Sequence, residues 1–157
     1  MKISQCTKAD YDQIITDMAD FWNSSHIDNL KRQHNPVFFY EFGNTAFVIK
    51  ESNKVIGYLF GLYSQITPTA YVKFVGVRSS HRKRGVGRAL YEYFIDVAKR
   101  QGSSELKAIT SPNNKISIAF HQSLGMELLG EPNEDGIPVM RDYAGPGNDR
   151  MVFRKDI

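Results

Sequence analysis

One cysteine, Cys6, stands in the 157 residues, so no intrachain disulfide can form, and no activating partner for a nucleophilic thiol is evident beside it. The four histidines, His26, His34, His81 and His121, have none of the spacings that ligate a metal, and no metal site is expected. Long apolar runs are also missing. Residues 55–72 are free of charge, but Gly57, Gly61, Ser64, Gln65, Thr67, Pro68 and Thr69 interrupt them, which predicts two strands and a turn in place of a membrane span. The N-terminus has no signal-peptide profile, so a reduced, cytoplasmic setting is the expectation. Repeats, low-complexity tracts and linkers are absent, and 157 residues with 41% hydrophobic content predict a single domain over 1–157. A net charge of +3 is mild and the basic residues lack interleaved aromatics, so neither nucleic acid nor a membrane is expected as partner.

What the chain does have is a concentrated motif, Val77-Arg-Ser-Ser-His-Arg-Lys-Arg-Gly-Val-Gly-Arg-Ala-Leu90. It follows a β-branched run, Tyr71–Val77, and leads into an amphipathic helical pattern, so its glycines fall where a strand turns into a helix N-terminus. Such an end presents unpaired N–H groups and the positive pole of the helix dipole, both attractive to phosphate. Gly85 and Gly87 lack the Cβ that would keep backbone amides away from a diphosphate. Five cations (Arg78, Arg82, Lys83, Arg84, Arg88) surround them with no acidic residue between Val77 and Leu90. At roughly 1.5–3 kcal/mol per charge-assisted bond, three or four bonds suffice for a micromolar ligand, which needs about 8 kcal/mol. Other phosphate motifs fit less well: a dinucleotide fingerprint needs glycine where Leu90 stands, and a Walker loop needs Gly-Lys-Ser/Thr. A basic turn that merely caps a helix is the alternative reading.

A second stretch, Asn114 to Met126, reads as a short helix with Asn at its start and Gly125 as its C-terminal cap. Together the two stretches resemble the GNAT (Gcn5-related N-acetyltransferase) superfamily over about residues 45–131. Val77 and Arg82-Lys83-Arg84-Gly85-Val86-Gly87 match that family's pyrophosphate loop, and Asn114, Ser117, Phe120, His121, Gly125 and Met126 fall on its later motif. The resemblance implies an α/β (α+β in some schemes) fold, with a mostly antiparallel central sheet, a splayed parallel strand pair and flanking helices. It implies acetyl-CoA as co-substrate, held by Val75, Gly76, Val77, Arg82, Lys83, Arg84, Gly85, Val86, Gly87, Arg88, Asn114 and Ser117. It further implies acetyl transfer to a primary amine of a small molecule, peptide or protein by direct attack in a ternary complex. His121 stands where the family usually has Tyr, the residue that protonates the departing thiolate, and Ser79 replaces a proline. Because that Tyr is missing, a non-catalytic acyl-CoA-binding or sensing domain is the alternative function.

The chemistry sets its own requirements. An alkylamine near pKa 10 leaves only about one molecule in a thousand uncharged at pH 7, so a base or water relay must take a proton. The segment Tyr71–Val77 holds no carboxylate and no base is singled out, Glu41, Glu51 and Tyr143 being candidates. His121 is the candidate acid for the thiolate, a helix-surface histidine bonded to a neighbour being the alternative. Trp22, Phe38, Phe39, Tyr40 and Tyr143 are candidates to line the acceptor site, each with core packing as its alternative.

The remaining pattern predicts a strand at Lys2–Cys6 and a capping box at Thr7–Asp10 opening one helix with Ile14, Ile15, Met18, Phe21 and Trp22 on its apolar side. A weaker helical segment ends at Asn35-Pro36. A hairpin over Thr45–Glu51 and Val55–Tyr63 turns at Ser52-Asn53-Lys54. A helix from Val86 to Gly102 buries Val86, Ala89, Leu90, Tyr93, Phe94, Val97 and Ala98, and a strand at Leu106–Thr110 runs parallel to Tyr71–Val77. Gly76 either faces the acetyl thioester or marks a bulge. Strands at Met126–Leu129 and Arg150–Lys155 flank a Gly/Pro-rich loop, Gly130 to Asn148, that could close the acceptor pocket or mediate a homodimer.

Overall fold

The computed structural model describes residues 1–157. In chain order its elements are β1 (Ile3–Gln5), α1 (Lys8–Thr16), α2 (Met18–Phe21), α3 (Ile27–Gln33), α4 (Pro36–Tyr40), β2 (Ala46–Glu51), β3 (Lys54–Tyr63), β4 (Thr69–Val77), α5 (Val86–Arg100), β5 (Glu105–Thr110), α6 (Lys115–Ser123), β6 (Glu127–Leu129), β7 (Glu131–Pro132), β8 (Pro138–Val139) and β9 (Met151–Asp156). This is a mixed α/β fold with a mostly antiparallel sheet, one parallel strand pair and flanking helices. Its contacts divide into two compact units, Met1–Leu62 with Lys73–Val97, and Tyr63–Val72 with Ala98–Ile157.

In the first unit the strand order is β1-β2-β3-β4. Thr7 caps α1 through a reciprocal box: the Asp10 amide donates to Thr7 Oγ1 at 3.2 Å, and the Thr7 amide donates to the Asp10 carboxylate at 2.9 Å. The expected single helix to Trp22 is broken at Asp17, which leaves helical geometry at ψ 19°. Asp17 and Asp20 both turn their carboxylates onto Arg78, so an ion pair decides the break that the apolar spacing did not show. Asn35-Pro36 ends one helix and also begins the next, since Asn35 Oδ1 accepts from the Val37 amide at 3.0 Å and caps α4. The β2–β3 hairpin turns through Ser52 and Asn53, at φ 46° and 65°, as a two-residue turn of the type that suits strand twist. Helix α5 lies close on β3 because Gly57 has no side chain: a Cβ there would sit 2.4 Å from Val86 Cγ1. Its buried face is Val86, Leu90, Tyr91, Phe94 and Ala98. Tyr93, expected inside, is exposed, and Tyr91 takes the core place on the neighbouring side of the helix.

In the second unit the order is β4-β5-β9-β6. The parallel β4–β5 register runs from Thr69↔Glu105 to Val72↔Ala108. The β5–β9 and β6–β9 pairs are antiparallel. Glu105 ties the start of β5 to its neighbours, accepting from Thr69 Oγ1 at 2.9 Å and from Arg154 Nε at 2.5 Å. The stretch read as a Gly/Pro-rich loop carries a small β7–β8 hairpin and a Met140↔Arg150 bridge, because Asn133 organises its turn by accepting from the amides of Asp135 and Ile137.

Candidate active site

The end of β4 and the head of α5 place the motif's glycines at a strand-to-helix turn. The Ala89 amide donates to the Gly85 carbonyl at 2.9 Å in the first turn of the helix, and the amides of Val86 and Gly87 precede it. Two residues just before it adopt left-handed geometry, Lys83 at φ 60° and Gly85 at φ 78°. This alternation turns successive amides toward one side, the geometry of an anion-binding nest. At Gly85 a Cβ would find only Met1 Cε at 3.7 Å, so the space beside Gly85 itself is open. A helix N-terminus preceded by two left-handed residues is the kind of backbone that takes a pyrophosphate.

The cation cluster is redistributed relative to its sequence. Arg78 is only 1% exposed: its Nε–H donates to the Val55 carbonyl at 2.6 Å, its two terminal nitrogens pair with Asp17 and Asp20, and its guanidinium lies 4.7 Å from the Phe21 ring centre. It therefore contributes nothing to a phosphate, and the five-cation count is corrected by the structure. Arg82 donates to the Phe21 carbonyl at 2.6 Å and to the Val77 carbonyl at 3.3 Å. It braces the loop through main-chain oxygens. Arg84 pairs with Glu51 at 3.2 Å, and Arg88 faces Glu92 at 4.0 Å. Lys83, exposed on the loop, enters no ion pair. Lys83 is thus the cation of the loop that is exposed and outside the ion pairs.

Upstream of the cradle, Val75, Gly76 and Val77 form the last turn of the pleat of β4. Gly76 lies on the buried face of the strand. Its missing side chain makes room for Tyr58, whose ring Cε1 would be 2.5 Å from a Cβ at that position. Tyr58 in turn is held by a chain of hydrogen bonds with a single consistent direction. Trp22 Nε1–H donates to Tyr58 Oη at 2.7 Å, the Tyr58 hydroxyl donates to His34 Nε2 at 2.8 Å, and His34 Nδ1–H donates to the Leu30 carbonyl at 2.8 Å. His34 is fully buried and stacks on Phe74 at 3.9 Å. Burial drives its pKa down to about 4, against the pull of the Leu30 carbonyl and with help from the Lys73 charge. Nothing in the sequence singled out His34 or Tyr58, because their connection joins a loop end to mid-strand. Trp22 is half-buried in this network, whereas Tyr40, expected beside it, is exposed at the end of α4 against Phe39.

In the second unit Asn114 caps α6, its Oδ1 accepting from the Ser117 amide at 3.1 Å. His121 lies one turn on, only 2% exposed, its ring stacked on Phe153 at 4.5 Å and 16°. Its Nδ1–H donates to the Ser117 carbonyl at 2.7 Å, and Ser117 Oγ is 3.2 Å from the same nitrogen. That bond fixes the proton of the neutral ring on Nδ1. Burial lowers the His121 pKa, with the Ser117 carbonyl opposing it, so the imidazolium form is a minority at neutral pH. Tyr143 is exposed within the turn 142–148 that Asp142 and Asp149 organise. Two surface hollows, of about 180 Å³ beside Tyr63–Thr69 and about 520 Å³ beside the acidic 133–149 turns, include no cradle residue. The Cys6 thiol is buried, and burial pushes it up to about 12, which makes it inert. No three His, Cys, Asp or Glu side chains are grouped to hold a metal, and no helix is long and apolar enough to cross a membrane.

Comparison with known proteins agrees with this geometry. Over 138 residues the chain is 28% identical to an L-methionine sulfoximine/L-methionine sulfone acetyltransferase of Salmonella typhimurium, covering 83% of this chain and 78% of that protein. The structure of a ribosomal-protein-alanine N-acetyltransferase from Brucella melitensis superposes with a TM-score of 0.66 at 22% identity, covering all of both chains. An aminoglycoside 6'-N-acetyltransferase complexed with coenzyme A superposes with a TM-score of 0.67 at 16% identity, over 99% of this chain and 97% of that one. At these identities the two superpositions speak for the fold alone. Residues 11–126 match the acetyltransferase (GNAT) family, a span that takes in the cradle, the α6 cap and His121. The chain belongs to the acetyltransferase (GNAT) family, and is an acyltransferase with acetyl-CoA as its co-substrate.

Proposed function

We propose that residues 1–157 act as one N-acetyltransferase domain that moves the acetyl group of acetyl-CoA to a primary amine of a small molecule or of a peptide or protein. The observation that carries this reading is the open amide cradle at Lys83–Arg88, with its two left-handed residues and a strand end leading into it. In this reading the amides of Val86, Gly87 and Arg88, with the Lys83 ammonium, take the pyrophosphate. Beyond Val72, the last residue of the parallel register, β4 continues to Val77. The backbone of Val75–Val77 there pairs with the pantetheine arm and donates to the thioester oxygen as charge develops on it. The nitrogen lone pair of the amine forms the new N–C bond, and the C–S bond breaks with its pair on sulfur. The ammonium gives up one proton to solvent before attack and a second as the amide forms, keeping one N–H, and the second is matched by the proton that ends on the thiol.

His121 is proposed to meet that sulfur. With Nδ1–H committed to Ser117, the proton it gives must leave Nε2 of the imidazolium, the form present below its lowered pKa. Asn114 and Ser117 set the start of the helix that carries it. Trp22, Tyr40 and Tyr143 remain the proposed acceptor-side residues, and the protein is proposed to work in the cytoplasm. The relative from Salmonella, named for amino-acid derivatives, supports a small acceptor.

Release of free thiol from acetyl-CoA across a panel of amines tests the reaction. Replacing Gly85 with Val tests the cradle: it forces a branched side chain into left-handed backbone and sets it before the amides. Acetyl-CoA affinity, measured by titration calorimetry, is expected to fall at least tenfold, and unchanged affinity in a folded variant refutes the cradle.

A further inference from the structure

From Thr69 to Val77 the only charged side chain of β4 is Lys73. It alternates onto the same face as Val75 and Val77, while Val72, Phe74 and Gly76 face the buried side. The ammonium lies 5.7 Å from the Phe38 ring centre and 5.3 Å from that of Phe74. Phe38 and Phe74 meet edge to face at 5.9 Å, and Phe74 carries His34 stacked on its other contact. The result is a cation seated on an aromatic platform. His34 adds no second charge, being neutral well below pH 7.

We propose that Lys73 reads a carboxylate on the acceptor, so that the favoured substrates are free α-amino acids, zwitterions whose carboxylate stands next to the reacting amine. This rests on the proposed transfer reading, which sets the thioester at Val75–Val77. Lys73 is two residues from Val75, about 7 Å along the strand, within the span of one amino acid. An acceptor amine arrives as an ammonium. A second positive charge roughly 8 Å from Lys73 weakens binding by about fourfold after salt screening. A carboxylate placed between them reverses the sign. The platform of Phe38 and Phe74 also restrains the lysine, so less side-chain freedom is lost when the carboxylate binds. Amines without an anion, such as polyamines, lack that compensation.

The test compares thiol release from acetyl-CoA with L-leucine, L-methionine, L-phenylalanine and L-glutamate, each against its C-terminal amide, with spermidine and phenethylamine as amines lacking a carboxylate. The wild-type protein is expected to favour the acids over their amides at least tenfold in kcat/KM. Lys73→Met should bring that ratio near one, chiefly through acceptor KM, with acetyl-CoA affinity by calorimetry held within twofold. Lys73→Arg should keep most of the preference, which separates a charge role from a folding defect. Amides equal to acids in the wild type, or a preference unchanged in Lys73→Met, overturns the proposal. So does acetylation confined to spermidine or phenethylamine, while leaving the transfer reading intact. Thiol release with none of these amines, from protein shown to bind acetyl-CoA, overturns the transfer reading itself.

Discussion

Replacing Arg78 with Met separates a buried structural arginine from a phosphate ligand. Met keeps the length of the aliphatic stem but removes the guanidinium, its three donors to protein oxygens and its contact with Phe21. The Val55 carbonyl, on a fully buried residue, is left unsatisfied at a cost of roughly 1–2 kcal/mol. Asp17 and Asp20 lose their partner, but their side chains are 30% and 57% exposed, so water takes over much of the solvation and each contributes about 0.5–1 kcal/mol. The ring contact adds roughly 0.5 kcal/mol. The expected destabilisation is about 3 kcal/mol, or roughly 6–12 °C in Tm for a chain of this size. Urea unfolding reads the stability, and calorimetry on the folded variant reads acetyl-CoA affinity, expected unchanged. A loss below about 1 kcal/mol, or a tenfold fall in affinity, would refute the assignment of Arg78 to the core and return it to the phosphates.

Asn114→Ala removes the cap of α6 and should lower stability by about 1 kcal/mol; an acetyl-CoA KM raised beyond what the fall in stability explains marks a contact with the cofactor arm, and an unchanged KM leaves a cap alone. His121→Phe should cut turnover at least tenfold with acetyl-CoA binding retained and abolish a limb in which activity falls as pH rises, placed below pH 6.5 by the lowered pKa. Full turnover in that variant would reassign His121 to its stack on Phe153. His34 gives a pH dependence of stability: its folded pKa of about 4 lies below the unfolded value of about 6.5, so the unfolded chain binds the proton first as pH falls. Stability present above pH 6.5 is then lost toward pH 4, by roughly 3 kcal/mol from this group, and His34→Gln should remove that component from denaturation curves recorded across the window.

Elements defined by neighbours in sequence were legible. The Thr7–Asp10 box and the Gly102 and Gly125 helix ends each depend on a few adjacent residues and stand where the pattern puts them, and the Ser52-Asn53-Lys54 turn is shortened by one residue because Lys54 pairs with Glu51. Elements defined by distant partners were not. The helix break at Asp17 answers to Arg78, sixty-one residues away. The choice of Tyr91 over Tyr93 depends on how α5 is rotated against β3, a rotation that Gly57 permits by letting Val86 approach, and helical spacing alone tolerates either tyrosine.

The same distinction governs the site. Amide direction is local: Lys83 and Gly85 take positive φ and the helix starts behind them, so a short glycine-bearing sequence is enough to announce the cradle. Side-chain charge is not local, because a guanidinium near one end of a strand is free to turn toward whichever oxygens the fold brings near. Arg78 goes to Val55, Asp17 and Asp20, Arg82 to the carbonyls of Phe21 and Val77, and Arg84 to Glu51. Three of the five cations are thus spent on holding α2, β2 and β3 around the loop, which makes the basic run in large part a clamp that keeps the amides in place. On the proposed reading the phosphates meet the loop amides and Lys83 before they meet Arg78, so Lys83→Met should weaken acetyl-CoA binding more than Arg78→Met does, an order that the basic run alone gives no reason to expect.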